Sequence, residues 1–186
     1  MNNEKLINNK VRLLRLIDIA PEKQIAGRIK LQKIVFLVQQ YAKARNKKTF
    51  TYEFDYYTYG PFDKNVGIDA TYLAKETSFI IENEPVGNEY PWTYSSELED
   101  STREKLPDYE SLFGIEEEEL KEIVEKLAKK DYQTLELTAT IVFVVNKNIC
   151  ENSKEIVKKK MNVLKPHLME KYDGAWALAE SYFKKN

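Results

Sequence analysis

The residue types that enzymes most often use for chemistry are scarce in this chain. Among its 186 residues His167 is the one histidine and Cys150 the one cysteine, so a histidine triad or a thiolate zinc cluster lacks members. The sequence has no glycine-rich phosphate loop, nucleophile elbow or HExxH zinc motif. We therefore expect no cofactor and no bound metal, a surface or capping role for His167, and an incidental thiol at Cys150. These absences favour a protein that is not an enzyme.

One pattern does match a catalytic motif in its spelling. Pro107-Asp108 followed by Glu119-Leu120-Lys121 spells PD…ExK, the signature of nucleases in which two carboxylates hold a divalent ion and a lysine stabilises developing charge. That chemistry needs the acidic pair on adjacent strands, whereas Glu119 lies in a glutamate-rich segment that predicts a helix. A metal-dependent nuclease is therefore a remote alternative.

Aromatic residues are concentrated in the middle of the chain. They are Tyr52, Tyr56, Tyr57, Tyr59, Tyr90, Trp92 and Tyr94. Such rings can stack on nucleic-acid bases, each base contributing about 1–3 kcal/mol. Residues 51–125, however, carry five basic against twenty acidic side chains, and this negative charge opposes the approach of phosphates. Packing in the core is the favoured interpretation.

The segment 49–59 predicts a strand that would position most of these rings. Alternation places four aromatic residues on one face, which we expect to be buried: Phe50, Tyr52, Phe54 and Tyr56. Tyr57 and Tyr59 would point the other way and are candidates for contact with a partner. The Gly-Pro pair at 60–61 stops the predicted strand, and residues 61–76 predict a helix with proline at its first position.

The strongest predicted helix is RIKLQKIVFLVQQYAKA, residues 28–44. One of its faces is apolar, and the opposite face carries lysine and glutamine. A helix at 4–19 and a short turn precede it, so the order is compatible with a helix-turn-helix that reads DNA. A core helix with a solvated polar face is the competing interpretation. The candidate residues for binding nucleic acid or another partner are Arg28, Lys30, Gln32, Lys33, Gln39 and Lys43.

Charge is distributed unevenly along the sequence. Residues 1–50 carry twelve basic against three acidic side chains, and residues 126–186 carry twelve against seven. The pattern suits either a basic face that meets a polyanion or segments that neutralise each other, internally or across a homodimer. No apolar run is long enough for a membrane helix, and the first residues lack the apolar stretch of a signal peptide, so we expect a cytoplasmic protein without a membrane.

The remaining elements complete a fold prediction. Segments 79–81 and 90–95 predict a strand pair, like the wing of a winged helix. Residues 95–114 predict an acidic, exposed linker. Residues 131–146 have the β-branched composition of a strand but the length and spacing of a buried helix, which we favour. The sequence thus predicts one mainly α (α+β) domain over 1–186, winged-helix-like, with a small β-hairpin or wing in 1–94 and a helical half at 115–186.

Three segments together resemble a known family. KLQKIVFLVQQ (residues 30–40) followed by an aromatic strand ending in YGPFDKNV (residues 59–66) is similar to the YwgA-like proteins and the related Panacea, or SocA-like, antitoxin domains. LELTATIVFVVNKN (residues 135–148) resembles the C-terminal half of the YwgA-like group. The resemblance implies no catalytic residues. It implies a binding module, since Panacea domains bind and neutralise toxins and SocA-like members act as proteolytic adaptors.

Together these observations favour a non-enzymatic regulatory or interaction protein. Its partner would be DNA, bound through the basic helix, or a protein such as a toxin. The nuclease remains the remote alternative.

Overall fold

The computed structural model describes residues 3–83 and 92–183, and its first part combines helices with small antiparallel sheets. The helices are α1 (Asn3–Asp18), α2 (Arg28–Lys43) and α3 (Lys64–Lys75). The strands are β1 (Gln24–Ala26), β2 (Asp55–Tyr57), β3 (Gly60–Phe62), β4 (Ile80–Asn83) and β5 (Thr93–Ser96). The prediction of a mainly helical α+β fold is confirmed.

The second part is helical. Its α-helices are α4 (Asp100–Arg103), α5 (Tyr109–Phe113), α6 (Glu117–Ala128), α7 (Tyr132–Asn146), α8 (Lys154–Leu164) and α9 (Tyr172–Ala179). Helix α7 is buried from Leu135 to Asn146, so the helical interpretation of this β-branched segment is confirmed. Its apolar residues surround the helix on all sides because other helices cover it, chiefly α2 and α9.

Strands β1, β5 and β4 form one sheet in that spatial order, with antiparallel neighbours. Along the chain the order is helix, strand, helix, helix, strand, strand, with the β2–β3 hairpin inserted between α2 and α3. This order is winged-helix-like, as expected, apart from β1, which the sequence did not predict. The turn between β4 and β5 lies outside the described residues. Strand β1 lies between α1 and α2, so these helices are not joined by the short turn that the sequence predicted. In a winged-helix order α2 and α3 correspond to the helix-turn-helix pair, and here residues 44–63, with the hairpin, separate them.

Helix α2 lies in the interior of the fold. Every residue from Leu31 to Gln40 is buried, and the helix packs against α7, α6, α3 and strand β3. Its predicted apolar face is confirmed. The solvated polar face is wrong for Gln32, Lys33 and Gln39, because the hairpin and the C-terminal helices cover them and backbone carbonyls accept their hydrogen bonds.

The β2–β3 hairpin spans residues 55–62, where the sequence predicted the end of a strand. Tyr56 pairs with Pro61 and Tyr57 pairs with Gly60. Gly60 has φ 80°, in the left-handed region, and a Cβ atom there would lie 2.6 Å from Thr140 Oγ1 on α7. The Gly-Pro pair therefore turns the chain into a second strand that lies against α7.

The predicted helix after the Gly-Pro pair begins three residues later than expected. Pro61 belongs to β3 and is not the first helical residue. Asp63 is the N-cap of α3, and its carboxylate accepts a hydrogen bond from the Asn65 backbone N–H at 2.8 Å.

The aromatic segment before the hairpin is buried in part. Phe50, Tyr52 and Phe54 lie in the core, as the alternation predicted. Tyr56 is 39% exposed, so its placement with them is wrong: it belongs to the β2–β3 hairpin, and only Asp55–Tyr57 of the predicted strand is paired.

The acidic segment 95–114 is packed against α1 rather than exposed throughout. It contains α4 and α5 and contributes four side chains to the core: Leu98, Tyr109, Leu112 and Phe113. Arg103 Nε lies 2.8 Å from Asp18 Oδ2 at the end of α1. The sequence suggested an exposed linker because this segment is mostly polar and has few apolar residues.

No helix in the described part of the chain has both the length and the apolar character to cross a membrane.

Candidate functional site

A cavity of about 710 Å³ opens beside the start of α2. Its walls come from α2, the β2–β3 hairpin, the first turns of α3 and the β4–β5 pair. Eight of the seventeen residues that line it are aliphatic or aromatic: Ile29, Leu31, Tyr57, Tyr59, Phe62, Val66, Ile68 and Tyr94. Apolar walls with a few polar groups are typical of ligand-binding sites, so we take this cavity as the candidate site.

Four charged residues also line this cavity: Arg28, Lys33, Lys64 and Glu82. Arg28 Nη2 lies 3.4 Å from Glu82 Oε1, and its guanidinium group lies 3.4 Å from the centre of the Trp92 ring. Lys64 is exposed at the first residue of α3. Because three basic side chains face one acidic side chain, the cavity favours an anionic group.

Lys33 is the charged group set deepest in the wall. It is 2% exposed, and its Nζ donates a hydrogen bond to the Pro61 carbonyl at 2.6 Å. Burial lowers the pKa of Lys33 to about 7, with Glu136 opposing the shift and Lys165 adding to it. The protonated form of Lys33 is therefore destabilised at this buried position.

Behind Lys33 lies a buried ion pair between α7 and the end of α8. Lys165 Nζ is 2.5 Å from Glu136 Oε1, and both side chains are almost fully buried. Lys165 also donates to the Thr58 carbonyl in the hairpin turn. This pair thus holds the hairpin that forms one wall of the cavity.

The KLQK and YGP segments, which are far apart in sequence, are joined by hydrogen bonds. Lys33 donates to Pro61, as described above. The Gln32 side chain donates to the Asp63 carbonyl at 2.9 Å and accepts from the Asp63 N–H at 3.2 Å. Two polar residues of α2 therefore hold the hairpin and the start of α3.

The other residues of the predicted basic surface do not form one exposed face. Lys30 Nζ donates to the Ala128 carbonyl at the end of α6, at 2.5 Å. Gln39 Nε2 donates to the Tyr52 carbonyl at 2.9 Å. Lys43 is exposed in the last turn of α2, two turns or more from Arg28 and Lys33. The structure brings Arg28, Gln32 and Lys33 to the cavity and leaves the others elsewhere.

Tyr57 and Tyr59 lie where strand alternation placed them. They are 59% and 56% exposed, and both line the cavity. The Tyr57 ring meets the Phe62 ring edge-on, with 5.3 Å between the ring centres. The expectation that these two side chains are turned away from the core is confirmed.

Sequence reasoning missed Glu136 and Lys165. Glu136 had a signal: it is the one acidic residue within the apolar segment 135–145, and a carboxylate in a buried helix needs a partner. Nothing in the sequence pointed to Lys165, which lies among several lysines of α8 and its surroundings.

The nuclease-like residues have structural partners. Asp108 is the N-cap of α5 and accepts from the Ser111 N–H at 2.6 Å. Glu119 accepts from the Tyr41 hydroxyl at 2.7 Å, and Lys121 lies 3.8 Å from Glu118 on the same helix. Among the described residues, no group of three or more histidine, cysteine, aspartate or glutamate side chains could hold a metal ion.

Neither the histidine nor the cysteine lines the cavity. His167 is exposed, in a 3-10 turn after α8. Burial raises the pKa of the Cys150 thiol, while the nearby Lys160 partly opposes the shift, so the reactive thiolate is disfavoured.

A second, smaller cavity of about 370 Å³ lies on another side of α2. Its charged lining is balanced between two lysines and two acids: Lys43, Lys147, Glu53 and Asp55. Gln39 lines it, and within the described part of the chain Gln39 Oε1 has no hydrogen-bond partner.

Comparison with protein-family models found none that matches this chain, and comparison with curated proteins found no similar protein.

Proposed function

We propose that this protein is a non-enzymatic interaction module that binds an apolar segment of a protein partner in the cavity beside Tyr57 and Tyr59. The observation that carries this proposal is the cavity itself, which combines 710 Å³ of space, mostly apolar walls and two exposed tyrosines at its mouth. That volume suits a few side chains of an inserted segment.

The surface around the cavity extends the apolar area. Five exposed aromatic or aliphatic side chains lie on the hairpin and α3: Tyr57, Tyr59, Phe62, Ile68 and Tyr72. Ile68 and Tyr72 are 57% and 45% exposed, one helical turn apart. Exposed apolar side chains grouped in this way are typical of protein-binding surfaces, where tyrosine is enriched.

Helix α3 favours a protein partner over DNA. It occupies the position of the second helix of a helix-turn-helix, the one that enters the major groove in DNA-binding members. The middle of its exposed face presents Ile68 and Tyr72, which are not among the side chains that usually read bases. The exposed lysine and asparagine side chains lie at its two ends: Lys64, Asn65 and Lys75. The basic face of α2, on which the DNA hypothesis depended, is largely buried.

The resemblance to Panacea-like and SocA-like domains supports the same choice. Those domains act by binding a protein, either a toxin or the target of a protease. A regulatory role of that kind, as an antitoxin or an adaptor, fits a module whose binding surface is a cavity with an aromatic rim.

A peptide-display selection tests the proposal. Peptides of about twelve residues are selected against the full chain, and their affinities are measured by fluorescence anisotropy. Ile68→Asp places a charge at the cavity, and we expect it to weaken binding by about tenfold or more, as for a central interface residue. Ile149→Asp is the matched control, since Ile149 is 50% exposed and does not line the cavity.

Two results would contradict the proposal. One is that Ile68→Asp and Ile149→Asp weaken peptide binding equally, or that neither variant weakens it. The other is tight binding of a labelled DNA duplex, with an affinity that falls steeply with salt, by a protein that selects no peptide.

A further inference from the structure

We infer, on the basis of the proposed function, that the partner segment carries a carboxylate and that Lys33 receives it inside the cavity. The ligand would therefore be an apolar peptide segment with an aspartate, a glutamate or a free C-terminus at its inserted end. Its apolar side chains would lie against Phe62, Val66 and Ile68.

The hydrogen-bonding capacity of Lys33 supports this inference. An ammonium group carries three N–H donors. Among the described residues, Lys33 Nζ donates one hydrogen bond, to the Pro61 carbonyl. The side chain lines the cavity although it is 2% exposed, so its remaining donors can be satisfied by a group that enters there.

The buried charges around Lys33 also favour a carboxylate, because together they carry a net positive charge. Glu136 is paired with Lys165, so the ammonium of Lys33 leaves this buried group with one surplus positive charge. On the open side Glu82 is paired with Arg28. A single carboxylate would neutralise the surplus, whereas a phosphate dianion would leave a second negative charge desolvated among apolar walls.

Binding of a carboxylate at this position is coupled to protonation of Lys33. The ionisable groups that face Lys33 or the cavity are Arg28, Tyr56, Tyr57, Tyr59, Asp63, Lys64, Glu82, Tyr94, Glu136 and Lys165. With a pKa of about 7, Lys33 is protonated below pH 7 and loses its proton above it. A bound carboxylate raises this pKa, so affinity is constant below about pH 7 and falls by up to about tenfold per pH unit above it.

The test uses two probes that differ only in one charge. They are dansyl-Leu-Phe with a free carboxylate and the same dipeptide as its C-terminal amide. At pH 6.5 we expect the carboxylate to bind the full chain about tenfold more tightly, which is the usual gain from a charge-assisted hydrogen bond. Lys33→Met should abolish this preference. Lys75→Met, at an exposed lysine of α3 that does not line the cavity, should keep it.

A measurement on the unaltered protein covers the case in which Lys33→Met does not fold. Calorimetry in two buffers of different ionisation enthalpy at pH 8 should show about one proton taken up with the carboxylate probe and none with the amide. Equal affinity of the two probes, with no proton uptake, would overturn the carboxylate inference while leaving the cavity as a binding site. If Ile68→Asp affects neither probe nor selected peptides, the proposed function itself fails.

Discussion

The two cavities beside α2 differ in how their polar groups are satisfied. In the smaller one two lysines face two acids, and the unpartnered group is a neutral amide oxygen, Gln39 Oε1. In the larger one the unbalanced group is a buried ammonium, Lys33. A neutral acceptor needs one donor, which a water molecule supplies, whereas a buried charge needs an opposite charge. The comparison therefore points to the larger cavity as the binding site.

The largest expected effect concerns the ion pair that supports the larger cavity. Glu136→Gln leaves the buried ammonium of Lys165 without its counter-charge, and we expect the free energy of unfolding to fall by about 3–5 kcal/mol. Urea denaturation followed by circular dichroism measures this change. Glu125→Gln, which breaks the exposed pair with Lys129, should change stability by less than about 1 kcal/mol. Similar losses in both variants would mean that the buried pair has no special role.

The hairpin wall of the larger cavity depends on Gly60. Gly60→Ala forces alanine into φ 80° and brings Cβ to within 2.6 Å of Thr140 Oγ1, so we expect a loss of roughly 2–3 kcal/mol. Gly67→Ala is the control because no atom lies within 4 Å of its added Cβ and the position is helical. That change should stabilise the protein by roughly 0.5–1 kcal/mol. An unaffected Gly60→Ala protein would contradict the hairpin geometry.

The unbalanced charge of Lys33 predicts a pH dependence of stability. Its pKa is about 7 in the folded protein and near 10.5 when unfolded, so between these values the unfolded chain binds the extra proton. Stability of the natural protein should therefore rise with pH relative to Lys33→Met, by about 1.4 kcal/mol per unit from pH 7 to 9. Below pH 7 Lys33→Met should be the more stable protein. A difference that does not change with pH would show that Lys33 is not desolvated.

The smallest effect should come from the glutamine at the smaller cavity. Gln39→Leu removes one hydrogen bond to Tyr52 and also the unpartnered oxygen, so we expect a change within about 1 kcal/mol. Gln32→Leu removes two hydrogen bonds and deprives the Asp63 N–H of this acceptor, while the Asp63 carbonyl keeps the bond from the Val66 N–H, so the loss should be roughly 2 kcal/mol. The two losses are measured by the same denaturation. The reverse order would contradict the structural role assigned to Gln32.

Much of the fold could be predicted because local patterns dominate it. Helix α7 is an example: its length and spacing outweighed its β-branched composition. The exposure of Tyr57 and Tyr59 was predicted, although the hairpin exposes Tyr56 and Thr58 as well, so burial does not alternate there. Tyr56 and Pro61 were misplaced because a two-residue turn at Thr58 and Tyr59 converts the end of a strand into a hairpin, and tertiary contact with α7 stabilises that turn.

The sequence by itself determined the main helices, most of the core positions, and the scarcity of residues suited to catalysis. The tertiary structure alone decided which polar residues of α2 are available to a partner. Periodicity shows which residues share a face of a helix, but whether that face meets water depends on elements distant in the chain. Here the hairpin and α7 cover Gln32 and Lys33, so a face that resembled a DNA-reading surface is the polar wall of a cavity.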